Sequence, residues 1–294
     1  MLLPKFDFHE PATLEEACQI MAEYGTKAKV LAGGTDLLVD MKKKLATPKQ
    51  VVSITRIKEM KKIETSPDGL KLGPCLTVAD VAASEAIAKR WRALCAGAKA
   101  LGNPLVRNLA TIGGNVVTAS PSADLPPSLI AYGARVVLKK TSGERVVSLD
   151  HFFLGAGLTE IAPDEILTEI QIDAPPPYSG AGYINEGIRK CRDCNVVNVA
   201  SFITLDGPDG VIKNARIVMG CVGSTDLRAV SAEKLLVGEK PSEALFARAG
   251  EAAMQEAAPR GSAESRASAE YKKDMVGVLT SRTLHLAWKE ALGH

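Results

Sequence analysis

The stretch Val30-Leu31-Ala32-Gly33-Gly34-Thr35-Asp36-Leu37 decides how this chain is read. Apolar residues that suit a short strand run into two glycines, and a helical pattern follows from about Asp36 to Lys44. Glycine lacks a Cβ and tolerates positive φ, so the backbone can turn sharply between strand and helix. Successive N–H groups in such a turn point the same way and can cradle a phosphate. No Lys or Arg lies inside the motif, so a pyrophosphate held there would rest on backbone dipoles rather than ion pairs. The pattern fits neither GxGxxG nor the Walker sequence, which argues against a nicotinamide Rossmann site and a nucleoside triphosphatase. Alone, such a pair is more often just a turn.

A second glycine pair changes that weighing. Arg107-Asn108-Leu109-Ala110-Thr111-Ile112-Gly113-Gly114-Asn115 lies about 80 residues further on and continues through a proline-stiffened loop to Asp124. Thr111 and Asn115 offer side-chain hydrogen bonds where the backbone cannot reach. Asp124 suits the role of a fixed acceptor for ribose or ribityl hydroxyls; its plainer role is to cap a helix beginning near Leu125. Two phosphate-type loops in one chain point to a dinucleotide pinned between two small subdomains.

The rest of the chain supplies that frame. Phe6 to Phe8 and Val51 to Ile54 read as strands around the first motif, and Thr13 with Glu16 has capping-box spacing ahead of an apolar helical stripe. This first subdomain spans residues 1–57. In a second, residues 58–175, Thr77 caps a helix, another helix runs to about Leu101, and Leu70/Leu72, Arg135 to Leu138, Arg145 to Leu149 and Ile166 to Ile172 form one sheet. Pro175-Pro176-Pro177 marks a boundary, since consecutive prolines continue neither a helix nor a ladder. In residues 178–294, Val196 to Leu205 and Val211 to Met219 flank a Gly/Pro loop as a two-stranded antiparallel unit. Helices follow from about Ser231, with Pro259 to Ser268 as a mobile loop. The fold class is α+β.

Composition narrows the function. The 294 residues carry 36 Lys+Arg against 34 Asp+Glu, a balance that points to no nucleic-acid or membrane-surface partner. No apolar run approaches the ~20 residues of a membrane span, and no secretory signal is evident, so a cytoplasmic location is expected. Cys191 and Cys194 form a lone CxxC, too few ligands for a zinc or iron–sulfur site, and the four histidines lack metal-ligand spacing. Lys42 to Lys44 suit a solvated helix end. Glu165 and Glu169 read as exposed carboxylates, and His151 as a partly buried structural histidine.

The pair VLAGGTDLL (30–38 with Leu38) and RNLATIGGNVVTASPSADLPP (107–127) resembles the FAD-binding subunit of molybdenum hydroxylases. That group includes the medium subunits of carbon monoxide, quinoline and nicotinate dehydrogenases and the flavin domain of xanthine dehydrogenase. The resemblance extends through GYINEGIRKCRDCNVVNVASF (182–202) to essentially the whole chain. It implies a two-subdomain FAD fold of the PCMH, vanillyl-alcohol-oxidase-like type with a C-terminal domain of antiparallel strands and helices. It implies non-covalent FAD, with its pyrophosphate wrapped by Val30, Leu31, Ala32, Gly33, Gly34, Thr35, Asp36 and Leu37. Thr111, Ile112, Gly113, Gly114 and Asn115 would complete the pocket, and Asp124 would hydrogen-bond the cofactor. Leu101 falls where the family packs a side chain against FAD, and Leu167 where its backbone meets the adenine end. Asn185 stands where many members carry a lysine near the flavin, so that positive charge is missing. Cys194 stands where relatives place an aliphatic residue or a tyrosine near the isoalloxazine face. It either fills space or tunes the flavin.

The same resemblance implies partners: a large subunit with the molybdenum cofactor, a small subunit with two [2Fe–2S] clusters, and an assembly of two heterotrimers. Unlike reductases of the 4-hydroxybenzoyl-CoA type, the run Thr111 to Tyr132 holds no insertion for a further cluster. A stand-alone flavin oxidoreductase of the same fold is the alternative, but no acid/base constellation follows residue 175 to serve a substrate. A flavin-free scaffold is disfavoured by the presence of both glycine pairs and Asp124.

Overall fold

The computed structural model describes residues 2–189, 194–259 and 267–293. The first unit is a parallel sheet in the order Asp7–His9, Gln50–Ser53, Ala28–Leu31. Parallel neighbours require crossovers, and the helices Leu14–Tyr24 and Leu37–Lys42 lie on those crossovers. Thr13 caps the first of them by accepting from Glu16 N, while the Glu16 carboxylate takes the Ala12 N–H. Leu14, Ala17, Cys18 and Met21 are its buried stripe. The second helix is shorter than its sequence pattern suggests, because Lys44 enters the left-handed region at φ 61°. Lys42 to Lys44 are exposed, as their charge requires.

The second unit is a five-stranded antiparallel sheet in the order Ile63–Thr65, Gly69–Leu72, Ile166–Asp173, Arg135–Lys140, Gly143–Ser148. The expected strands do share one sheet; the edge strand Ile63–Thr65 is added to them. Helices cover one face, with Trp91, Leu94, Ile112 and Leu129 packed on Leu70, Leu72, Leu138 and Ile170. Thr77 and Asp80 form a full capping box ahead of Val78–Ala83.

The third unit holds four antiparallel strands, Ser179–Glu186, Val197–Leu205, Ile212–Gly220 and Leu227–Arg228, where the sequence suggested two. Gly180 and Gly182 hide the first of these, since glycine weakens any strand pattern. Val197–Leu205 is buried at almost every position because both faces are covered. Val197, Val199 and Ile203 face the helices Val230–Leu236, Glu243–Glu256 and Ala269–Ala291. Ala200 and Phe202 face the helices of the second unit and join its core. The C-terminal sheet is thus the shared wall of two cores. The loop expected over Pro259 to Ser268 falls mostly outside the described residues.

Gly182 explains how the long terminal helix comes so close. A Cβ at residue 182 would lie 2.4 Å from the Thr283 carbonyl and 2.9 Å from Leu286 Cβ. Gly182→Val is therefore expected to cost about 1–3 kcal/mol in denaturant unfolding, the usual range for overpacking. Gly207→Ala, which faces open space, is the control and should leave the midpoint nearly unchanged.

Candidate functional site

The three units enclose a cleft of about 580 Å³, within the ~300–1,000 Å³ typical of ligand sites. Val30, Leu31, Ala32, Gly33, Gly34, Thr35, Asp36 and Leu37 line one wall, and Leu101, Thr111, Gly113, Gly114, Asn115, Asp124 and Leu167 line the others. Two predicted site residues sit elsewhere. Ile112 has no exposed surface and packs in the second core, holding the segment from below. Asn185 lies behind the wall, where its Nδ2 donates to Asn195 Oδ1 at 2.8 Å. Cys194 lines the cleft at an exposed position, whereas Cys191 lies outside the described residues.

The first loop is sharply turned and closely packed. Gly34 adopts φ +73°, and a Cβ on Gly33 would meet the Leu109 carbonyl at 1.9 Å. Any side chain at residue 33 would force the two loops apart. Among the described residues, the N–H groups of Gly33 to Leu37 donate to no protein acceptor. They are available to an anion.

The second loop works differently from a phosphate cradle. Ile112 N donates to the Leu76 carbonyl, Gly113 N to Pro74, Gly114 N to Thr111 Oγ1 and Asn115 N to the Thr111 carbonyl. Those donors are spent inside the protein. Gly113 is needed for closeness instead, since a Cβ there would lie 2.4 Å from Pro74 Cβ. What the loop offers a ligand is side-chain chemistry. Thr111 accepts from Gly114 and so keeps its hydroxyl proton to give. Asn115 Oδ1 is buried with no protein partner, an acceptor that a ligand hydroxyl would satisfy.

Asp124 occupies the N-cap position of Leu125–Ala131 but makes no side-chain cap bond. Its Oδ1 instead accepts from Tyr183 Oη at 2.9 Å and Asn195 Nδ2 at 2.8 Å, both from the C-terminal unit. Asn195 also donates to the Ser122 carbonyl. Burial pushes the Asp124 carboxyl up, and the two donors pull it partly back. Sequence reasoning missed Tyr183, Asn195 and Asn198. The available signal was Asn198, a polar side chain inside a largely apolar strand run, which needs a buried partner.

Electrostatically the described lining of the cleft is poor in cations. Among the described residues, Lys29, exposed at the rim, is the one Lys or Arg in its lining, whereas Asp36, Asp124 and Glu165 all contribute. Burial and the nearby Asp40 push the Asp36 carboxyl up, and Thr118 tempers this. Glu165 is buried rather than exposed as its sequence suggested, because Arg145 clamps both its oxygens at 2.7 and 2.9 Å. Arg145 also reaches Glu160, and Ala162 N donates to Glu165, so the loop Ile161-Ala162-Pro163 is fixed along the cleft. His151 is exposed, with no place in either core. Among the described residues no cluster of His, Cys, Asp and Glu could hold a metal ion. None of the helices described is long and apolar enough to cross a membrane.

Open backbone donors for a diphosphate, hydroxyl and carboxylate partners, and apolar walls define a dinucleotide-cofactor cleft. The profile described as the FAD binding domain in molybdopterin dehydrogenase matches residues 4–175. The CO dehydrogenase flavoprotein C-terminal domain matches residues 183–287. The carbon monoxide dehydrogenase medium chain of Hydrogenophaga pseudoflava is 32% identical, over 98% of this chain and 99% of its own. The nicotine 6-hydroxylase medium subunit of Paenarthrobacter nicotinovorans is 30% identical, over 97% and 98%. Among solved structures, carbon monoxide dehydrogenase from Hydrogenophaga pseudoflava superposes with a TM-score of 0.92 at 31% identity, covering 98% of this chain and 99% of that one. Quinoline 2-oxidoreductase from Pseudomonas putida 86 gives 0.91 at 26% identity, covering 99% and 100%. The chain belongs to the family of FAD-binding subunits of molybdenum hydroxylases. It is the flavoprotein subunit of an oxidoreductase.

The Arg145–Glu165 clamp has a pH signature. Arg145 holds the Glu165 carboxyl below the ordinary carboxylate range. Its contribution is therefore fully present above the unfolded value of ~4.3 and is lost as pH falls through the folded value. Glu165→Gln should cost roughly 1.5–3 kcal/mol at neutral pH, as for other hydrogen bonds to charged groups. The difference from wild type should shrink in acid; unfolding curves at neutral and acidic pH check this.

Proposed function

We propose that this subunit relays electrons. A partner subunit carrying two [2Fe–2S] clusters delivers them to FAD in the cleft, and FAD passes them to an external acceptor. Substrate oxidation takes place at the molybdenum cofactor of a large subunit. The observation that carries this reading is the run of N–H groups from Gly33 to Leu37 that, among the described residues, donate to no protein acceptor, in a loop that lines the cleft. Medium chains named for carbon monoxide dehydrogenase and nicotine 6-hydroxylase, matched over nearly their full length, support the assembly. A dimer of heterotrimers in the cytoplasm is the arrangement that goes with it.

The residues present fit FAD. When bound, it supplies a carrier that accepts electrons singly and releases them in pairs. The backbone from Val30 to Leu37 holds the diphosphate by dipoles. Thr111 donates its hydroxyl proton, Asn115 Oδ1 and Asp124 accept from hydroxyl groups, and Gly113 and Gly114 permit the close packing beneath them. Leu101 and Leu167 contribute apolar wall, while Ile112 anchors the loop from the core. Asn185 acts at one remove by holding Asn195, which holds Asp124. With no lysine at residue 185, this chain adds no positive charge there to favour an anionic reduced flavin.

The relay order is testable in the assembled complex. Substrate added anaerobically to the wild-type complex should bleach both iron–sulfur and flavin absorbance. In the Gly34→Val complex, with the positive-φ turn strained, flavin should be lost while iron–sulfur bleaching persists. Flavin reduction that needs no iron–sulfur subunit would sink the proposed order.

A further inference from the structure

The hydrogen bonds behind Asp124 extend past Tyr183. Asn198 Nδ2 donates to Tyr183 Oη at 3.3 Å and to the Ala123 carbonyl at 2.9 Å. The second contact fixes the amide, since turning it over would set two oxygens against each other. Asn198 Oδ1 therefore points the other way, is buried, and meets no donor among the described residues. Asp226 Oδ1 is also buried without a partner. Both oxygens lie beside Gly220, which pairs with Asn198 across the strands. A Cβ at residue 220 would be 1.9 Å from Asn198 Oδ1 and 2.9 Å from Asp226 Oδ1. The glycine leaves a space that these two oxygens fill.

Two acceptors in one buried space repel unless one of them carries a proton, and an amide oxygen does not. Leaving both unsatisfied would forfeit the water that each oxygen binds in the unfolded chain. Among the described residues no cation pairs with Asp226. Burial pushes the Asp226 carboxyl well above its usual range. The adjacent Cys221 thiol is pushed up by burial too, and so stays neutral. Lys272 Nζ donates to the Cys221 carbonyl at 3.1 Å.

We propose that Asp226 is a neutral carboxylic acid donating to Asn198 Oδ1, and that through Asn198 and Tyr183 it is a positioning residue for Asp124. With its oxygen held by Asp226, Asn198 keeps Nδ2 on Tyr183. Tyr183 then accepts from Asn198 and gives its own proton to Asp124. The order of the cleft wall thus depends on a residue in the turn between Ile212–Gly220 and Leu227–Arg228. The effect on cofactor binding rests on the reading of Asp124 as a flavin contact; the proton on Asp226 and its coupling to Tyr183 do not.

The test uses the full chain as wild type, Asp226→Asn, Asp226→Ala, Tyr183→Phe and the Asp226→Ala/Tyr183→Phe double variant. Infrared difference spectra at neutral pH should show a carboxylic-acid carbonyl band in wild type that is missing from Asp226→Asn. Asparagine can donate to Asn198 in the same way, so Asp226→Asn should bind FAD within about twofold of wild type, whereas Asp226→Ala should bind about five- to tenfold more weakly. In the Tyr183→Phe background, Asp226→Ala should add little to the loss of either unfolding stability or FAD affinity. The proposal is overturned if the band is missing from wild type, if Asp226→Asn binds as poorly as Asp226→Ala, or if the Asp226 and Tyr183 effects simply add. Failure of wild type to bind FAD would refute the flavin reading instead, and the infrared and stability arms would still decide the role of Asp226.

Discussion

The carbonyl oxygen of Leu109 sits 1.9 Å from where a side chain at residue 33 would begin, and the cleft depends on that contact. It seats the loop after Ala28–Leu31 against the segment that leads into Ile112–Thr118. The first unit thereby presents its unpaired N–H groups toward the walls of the second. Only glycine permits the approach. The adjacent Gly34 supplies the turn at φ +73°, so one residue of the pair allows closeness and the other direction.

The C-terminal unit completes the site from behind. Its central strand is buried on both faces, one against its own helices and one against the helices of the second unit. The inward-facing side chains of that second face include Tyr183 and Asn198, which reach Asp124 and Ala123. The carboxylate that lines the cleft is thus oriented from a different unit. Arg216 paired with Asp150 and Arg92 paired with Glu290 add polar contacts across the same seam. Mutations in the C-terminal sheet can for this reason act on the cleft without lining it.

Legibility in the sequence followed the physics. The Gly33-Gly34 loop was readable because a strand, two glycines and a helical stripe admit few backbones. The Gly113-Gly114 loop was readable as important but not for the right reason: its N–H groups are consumed by Pro74, Leu76 and Thr111, contacts between segments far apart in the chain or set by side-chain orientation. Asp124 had two roles open to it. Its αR backbone and missing cap bond set the capping role aside. Tyr183 lay in the strand Ser179–Glu186, which its glycines hid, whereas Asn195 and Asn198 stood at a strand that was readable but whose buried partners, Asp124 and Ala123, are more than seventy residues away. Glu165 was misjudged because its partner Arg145 is twenty residues away and pairing, not composition, decides whether a carboxylate can be buried. Ile112 and Asn185 support the cleft without lining it, a distinction of side-chain direction that motif spacing does not carry.

The central claim is that this cleft holds a flavin dinucleotide on backbone donors. The most direct measurement is to purify the full chain, release its flavin by denaturation, and identify and count it against protein, with Gly33→Val beside wild type. The account predicts FAD rather than FMN, one per wild-type chain, and little or none in a Gly33→Val chain that still folds. A wild-type chain that holds no flavin and takes up none from added FAD would contradict it, as would undiminished FAD in Gly33→Val.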